Sequence, residues 1–347
     1  MPHIFFDLEG PLSPQDNAYE VLGLAENGSK VFEIISKYDD LLTLEGRANY
    51  EPGDTLKLIV PFLILHNITD EDIRKVSERA KIVSGAREII STLKSEGWEV
   101  YIISTSYQQH AYNIARQVGV EEDRVACTKL SLNKYIAELG DEELAEVERI
   151  ESKILTDLYP RMDEQEIVRT LDNFFFKKLR DTRLGDIFNQ VTIIGGRRKV
   201  EAMKRFLSDQ DYRDVVAVGD SITDYKMLEE VREGGGLAVA FNGNEYSIPY
   251  ADVALASIDQ RFSYPIAEAF KKGGKRGALD VCRELERRDL KSLLSSLPPQ
   301  LAEELSPELK PPRYRCLENA SQEVISETIK IHKEYRMLVR GEAGKLG

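Results

Sequence analysis

The chain has 347 residues, with 47 Lys and Arg against 60 Asp and Glu, a formal net charge of −13. Such an excess of negative charge repels a phosphate backbone and argues against nucleic acid as a partner. The 42% hydrophobic content supports a buried core, and the length suits two to three domains.

The segment 3–7, His-Ile-Phe-Phe-Asp, is a short apolar run ending in a charge and reads as a buried strand. Residues 15 to 83 read as mostly helical, with a polar loop at Glu51-Pro52-Gly53-Asp54. The longest apolar run there, Leu58 to Leu65, contains Pro61 and falls far short of the ~18 residues of a membrane span. Ser84 is placed to cap a helix carrying Ile89, Ile90 and Leu93, which Gly97 ends. Val100 to Ile103 reads as a strand, and Ala111, Ile114, Ala115 and Val118 as the next helix, closed by Gly119. This alternation implies a parallel sheet covered on both faces.

The alternation then stops. Leu144, Val147, Ile150, Ile154 and Leu158 recur at helical spacing, and Asp163 with Glu166 opens a second helix carrying Val168, Leu171, Phe175 and Leu179. Residues 132 to 188 are therefore read as a helical insertion. The α/β pattern resumes with strands at Val191–Ile194, Asp214–Val218, Leu237–Phe241 and Asp252–Leu255, and with a helix carrying Val200, Met203 and Phe206. From 259 the chain reads as helical, broken by Pro298, Pro299, Pro307, Pro311 and Pro312, with a last helix over 319–340. There is no internal repeat. The N-terminus has no basic region, and Asp7 and Glu9 interrupt its apolar stretch, so no signal peptide is expected. Cys127, Cys282 and Cys316 are odd in number and far apart, which suits a reducing cytoplasm better than a disulfide framework or a zinc site.

Four segments carry polar groups just after an apolar strand or at a helix start. In an open parallel sheet the strand C-terminal ends share one edge, where ligands bind. Phe6-Asp7-Leu8-Glu9-Gly10 offers two carboxylates two residues apart, one suited to nucleophilic attack and the other to acid/base work. Ser104, in Ile-Ile-Ser-Thr-Ser, offers a hydroxyl near free backbone N–H groups. Lys199 opens a helix after Gly195-Gly196-Arg197-Arg198 and is suited to offsetting anionic charge. Gly219-Asp220-Ser221-Ile222-Thr223-Asp224 places two carboxylates four apart after a strand, a pattern suited to a hard cation. Taken singly, each also fits an ordinary charged loop, a helix cap or a solvated lysine.

In this order the four motifs resemble the haloacid dehalogenase superfamily, and within it the phosphoserine phosphatase-like branch. The resemblance spans roughly 1–14, 84–130 and 190–257. It implies an α/β, Rossmann-like parallel sheet (1–14, 84–131 and 189–258) and a helical cap (15–83); the helical insertion (132–188) and the helical C-terminal extension (259–347) are not explained by it. It further implies Asp7 as the nucleophile that becomes an aspartyl phosphate, and Glu9 as the acid and then the base. Ser104 and Lys199 would hold phosphoryl oxygens. Mg²⁺ would be bound by Asp7, the backbone carbonyl of Glu9 and Asp220, with Asp224 in support. Two residues depart from the usual pattern: Glu9 stands where Asp is common, and Thr223 where Asn is. Both weaken any transfer of substrate.

The expected activity is a Mg²⁺-dependent phosphatase acting on a small phosphorylated metabolite in the cytoplasm. The alternatives are a phosphotransferase to an alcohol acceptor and an interaction or assembly subunit with little turnover. Asp16, Glu20 and Arg47 are the candidate polar contributors of the cap to substrate choice. His110 is read as a surface helix position, Arg197 and Arg198 as exposed charges, and Phe174-Phe175-Phe176 as packing. Ile325, Ile329, His332, Tyr335 and Leu338 form a stripe on the last helix. That stripe docks on the chain's own core, or else makes a homo-oligomer or meets a protein partner. No motif lies beyond Asp224, so removing 313–347 is expected to spare the chemistry of Asp7.

Overall fold

The computed structural model describes residues 1–136, 139–208, 210–303, 305–306 and 308–345. Pro307 lies outside them. Seven strands form one sheet: β1 (His3–Phe6), β2 (Glu99–Tyr107), β3 (Val125–Thr128), β4 (Val215–Gly219), β5 (Leu237–Phe241), β6 (Val253–Ala256) and β7 (Arg313–Cys316). Their order is β3-β2-β1-β4-β5-β6-β7. All neighbours run parallel except β6 and β7, which pair antiparallel with Leu255 opposite Tyr314.

Period-two alternation divides the sheet's side chains between two cores. Ile4, Phe6, Val100, Ile102, Val216 and Val218 pack under the helices Ala86–Ser95, Gln108–Val118 and Tyr264–Leu285. Phe5, Tyr101, Ile103, Val215 and Ala217 pack against the helices Arg197–Leu207 and Tyr225–Glu233 on the opposite face. Phe5 stacks on Tyr101 with ring centroids 4.8 Å apart. Each such fully buried Ile, Phe or Val contributes about 1.5–3 kcal/mol.

The helices between β1 and β2 and those between β3 and β4 share a third core. Val31, Ile35 and Phe62 pack in one cluster with Val147, Ile167 and Phe174. Phe174 and Phe175 are buried there, with Phe175 stacked on Tyr38, while Phe176 is exposed.

Three local expectations need correction. Ser84 caps nothing: the helix starts at Ala86 after Gly85, in a left-handed conformation, and Ser84 bridges to Asp259. Val191–Ile194 is not a strand. Side-chain hydroxyls take over the role of a ladder at its end, with Thr128 Oγ1 accepting from the Ile194 N–H and Thr105 Oγ1 donating to its carbonyl. The mostly helical segment after 259 also carries β7, too short and too charged for its alternation to show. Its last helix, Gln322–Arg340, docks on the chain itself: Ile325 and Ile329 pack against Ile248, Ala251 and Leu317. No helix among the described residues is long and apolar enough to cross a membrane.

Candidate active site

The chain runs from β1 outward to β2 and β3, then returns to place β4 on the other side of β1. Ligands bind at such a reversal, beyond the C-terminal ends of the two central strands. Asp7 follows β1, and its N–H extends the ladder to Val218 O at 2.8 Å. Asp220 follows β4 directly.

Asp7, Asp220 and Asp224 are all buried and offer oxygens within 4.8 Å of one another. Lys199, fully buried in the first turn of its helix, places Nζ 2.6 Å from Asp7 Oδ1 and 2.7 Å from Asp224 Oδ1. The other oxygen of Asp224 accepts the N–H groups of Asp220 and Ser221 at 2.9 and 3.0 Å. Asp224 is thus committed to holding the loop and the lysine. Gly10 is required here: its φ is +107°, and a Cβ would stand 2.2 Å from Asp220 Oδ2.

Above this floor is a cavity of about 80 Å³, lined among others by Asp7, Glu9, Asp16, Asp39, Thr105 and Ser221. That volume suits a phosphoryl-sized group. It is well below the ~300 Å³ of an ordinary ligand pocket. Glu9 Oε1 accepts the Asn17 N–H at 2.9 Å. Gly53, at φ +92°, brings the 51–54 loop against Thr105, where a Cβ would meet Thr105 Cγ2 at 2.7 Å.

Burial raises the pKa of Asp7 to about 7, with the Asp224 charge adding to the rise and Lys199 opposing it. Burial, together with Asp16, raises Glu9 to about 8. Burial pulls Lys199 down, but Asp224 and Asp7 outweigh it and keep the ammonium charged. Carboxyls whose folded pKa lies above the unfolded value bind more protons when folded, so they make stability fall as pH rises. The metal-free protein is therefore expected to lose thermal stability between about pH 4 and 8 through Asp7 and Glu9. Mg²⁺ is expected to flatten that slope, because a cation takes over the proton's role among the carboxylates. Calorimetric Tm against pH, with chelator and with Mg²⁺, checks this; a slope unchanged by Mg²⁺ would contradict it.

The donor set fits such a cation. It is all oxygen, as a hard ion prefers, and Asp220 Oδ1 is buried without a hydrogen-bond partner.

Some expected residues are elsewhere. β2 runs through its motif to Tyr107, so Ser104 is buried with Oγ accepting the Ser106 N–H at 3.1 Å, and Thr105 faces the cavity instead. Arg47 is held by Asp172, with Nη2 2.9 Å from Oδ2, and Glu20 is exposed; neither lines the cavity. Arg198 is not an exposed charge, because it binds the buried Asp54 at 2.7 Å. His110 is fully buried, not on the surface.

The largest correction concerns the tail. Arg336, 2% exposed, binds Asp220 Oδ2, and Arg340 binds the same oxygen at 3.0 Å. Both line the cavity. The sequence signal was present: His332, Arg336 and Arg340 follow at i, i+4 and i+8 and so share one helix face. An apolar stripe favours Leu338, which is 59% exposed.

A solved gene product of Archaeoglobus fulgidus is 31% identical over 100% of this chain and 99% of its own, with a TM-score of 0.80. The chain belongs to the family of that archaeal protein. Its mostly parallel seven-stranded sheet, with helices on both faces, is the α/β, Rossmann-like fold that the motif order implies. An apo phosphoserine phosphatase is 18% identical (76% of this chain, 97% of that one, TM-score 0.49). A substrate-bound phosphoserine phosphatase is 19% identical (76% and 96%, TM-score 0.48). No protein-family model matches the chain, and no curated protein does.

Proposed function

We propose that the protein is a Mg²⁺-dependent phosphatase that hydrolyses a small phosphorylated metabolite through an aspartyl phosphate on Asp7. The observation that carries this reading is the carboxylate of Asp7 at the chain reversal, held 2.6 Å from Lys199 and facing the same cavity as Glu9. In this reading 1–14, 84–131 and 189–258 form the catalytic core, and 15–83 the cap.

Asp7 attacks phosphorus as the bond to the leaving oxygen breaks. Glu9 gives that oxygen its proton, then takes one from the water that attacks phosphorus and releases Asp7. The raised pKa of Glu9 suits the first role near neutral pH. Lys199 offsets the anionic charge drawn into the site. Asp7, Asp220 and the Glu9 carbonyl would hold Mg²⁺, with Asp224 in support, and the ion would supply further neutralisation of the phosphoryl oxygens. Ser221, which lines the cavity, would donate a hydrogen bond to the same oxygens, whereas the Thr105 hydroxyl is spent on the Ile194 carbonyl.

The test is phosphate release from a panel of small phosphate monoesters by chelator-treated protein, with and without Mg²⁺. Release that requires Mg²⁺ is expected. No release from any monoester at millimolar Mg²⁺ would refute the reading.

A further inference from the structure

His110 has no part in the scheme above, yet its placement is unusual. It sits in the first turn of the helix Gln108–Val118, and its ring is 0% exposed. Nδ1 lies 3.2 Å from the Ser77 hydroxyl. Nε2 is buried without a hydrogen-bond partner and lies 3.8 Å from Glu9 Oε1. A buried polar atom without a partner is uncommon in a folded protein and calls for an explanation. Burial also lowers the ring pKa to about 3, so the imidazole is neutral and carries a single N–H.

We infer that His110 is a positioning residue for Glu9, donating from Nε2 to Glu9 Oε1 during the transfer of the leaving-group proton. The inference rests on the phosphatase reading and on Glu9 as its acid. The proposal assigns the Ser77 hydroxyl as donor to Nδ1, which places the ring hydrogen on Nε2, toward Glu9. The 3.8 Å separation is longer than a ~3.2 Å hydrogen bond, and the proposal requires the Glu9 carboxylate to move toward the ring as the proton is transferred. Oε1 also accepts the Asn17 N–H. Two donors on Oε1 leave the acidic proton to Oε2. Ser77 itself lies on the helix Asp70–Glu78 of the segment between β1 and β2, so this relay ties the orientation of the acid to the seating of that segment.

A residue acting through the general acid has a signature that a structural residue lacks. An alkyl leaving group needs protonation, whereas p-nitrophenolate barely does, and kcat/KM reports the step in which the P–O bond breaks. His110→Phe is expected to lower kcat/KM about 10- to 100-fold for an alkyl phosphate and less than about 3-fold for p-nitrophenyl phosphate. His110→Gln keeps a donor and should recover most of the loss. Glu9→Gln, as the reference, should show the same split between the two esters and a larger one. A split in Glu9→Gln with equal losses, or none, in His110→Phe overturns the role of His110 alone. No split in Glu9→Gln overturns the acid role of Glu9 itself. Should His110→Phe fail to fold, ¹⁵N NMR of the wild-type ring decides: a protonated Nε2 supports the relay, and a protonated Nδ1 overturns it.

Discussion

Asp7→Asn is expected to lower turnover by at least ~10³-fold while leaving the fold intact. The side chains match in shape, but an amide oxygen does not form the acyl phosphate bond on which the scheme depends. Stability should hold or rise in the metal-free protein. Burial already raises the carboxyl of Asp7 to about 7, which marks its charge as unfavourable there. Lys199 loses one partner but keeps Asp224 at 2.7 Å. Two measurements check this: steady-state phosphate release, and acid trapping of labelled phosphoenzyme. Wild-type turnover in Asp7→Asn, or trapped label equal to wild type, would remove Asp7 as nucleophile.

The same substitution shows why this part of the site was legible in the sequence. Asp7 and Asp220 each end an apolar β-strand, and the pleat and the parallel ladder carry such residues to one edge whatever the rest of the chain does. Lys199, in the first turn of the helix Arg197–Leu207, needs only that helix to lie against the face of the sheet at β2. These placements follow from local pattern. The residues that escaped depend on distant contacts. His110 sits on a helix whose apolar face was read correctly through Ala111, Ile114 and Val118. Whether a histidine at its first turn meets water or Glu9 depends on how the Asp70–Glu78 helix closes over it. Val191–Ile194 has the composition of a strand, yet the sheet has no vacancy there, since β1 already has β2 and β4 beside it. The apolar run ends before Ser104, but pairing to β3 carries β2 on to Tyr107, and Thr105 lines the cavity. The side chains of 15–83 that reach the cavity, such as Asp39, are set by tertiary contacts: Asp39 is fixed by the Tyr50 hydroxyl at 2.5 Å and the Gly53 N–H at 2.9 Å.

Arg336→Met is expected to destabilise the metal-free protein by about 3–5 kcal/mol, the usual cost of leaving a buried charge without its partner. A tail beyond the last motif reads as an accessory, and the shared helix face of His332, Arg336 and Arg340 does not by itself say what that face meets. In the fold it is a structural part of the sheet and of the site. β7 covers the edge of β6, and Tyr314 is buried with its hydroxyl 2.6 Å from Phe262 O. From there the chain enters the helix Gln322–Arg340, where His332 Nδ1 accepts the Gly243 N–H at 2.9 Å and fixes the helix against the loop after β5. One turn on, Arg336 reaches Asp220, the residue with the unpartnered Oδ1. Removing the guanidinium leaves Asp220 Oδ2 with Arg340 alone, near Asp7 and Asp224, so repulsion among three carboxylates is opposed by fewer cations. The control is Leu338→Ala on the exposed side of the same helix, expected to change stability by less than ~0.5 kcal/mol. Urea midpoints of the two variants and wild type, measured in chelator, give the comparison. Deletion of 313–347 should go further and abolish both soluble folding and activity, because β6 would lose its neighbour and Asp220 both arginines. A truncated protein that folds with wild-type stability, or an Arg336→Met variant no less stable than Leu338→Ala, would show that the tail rests on the site without holding it.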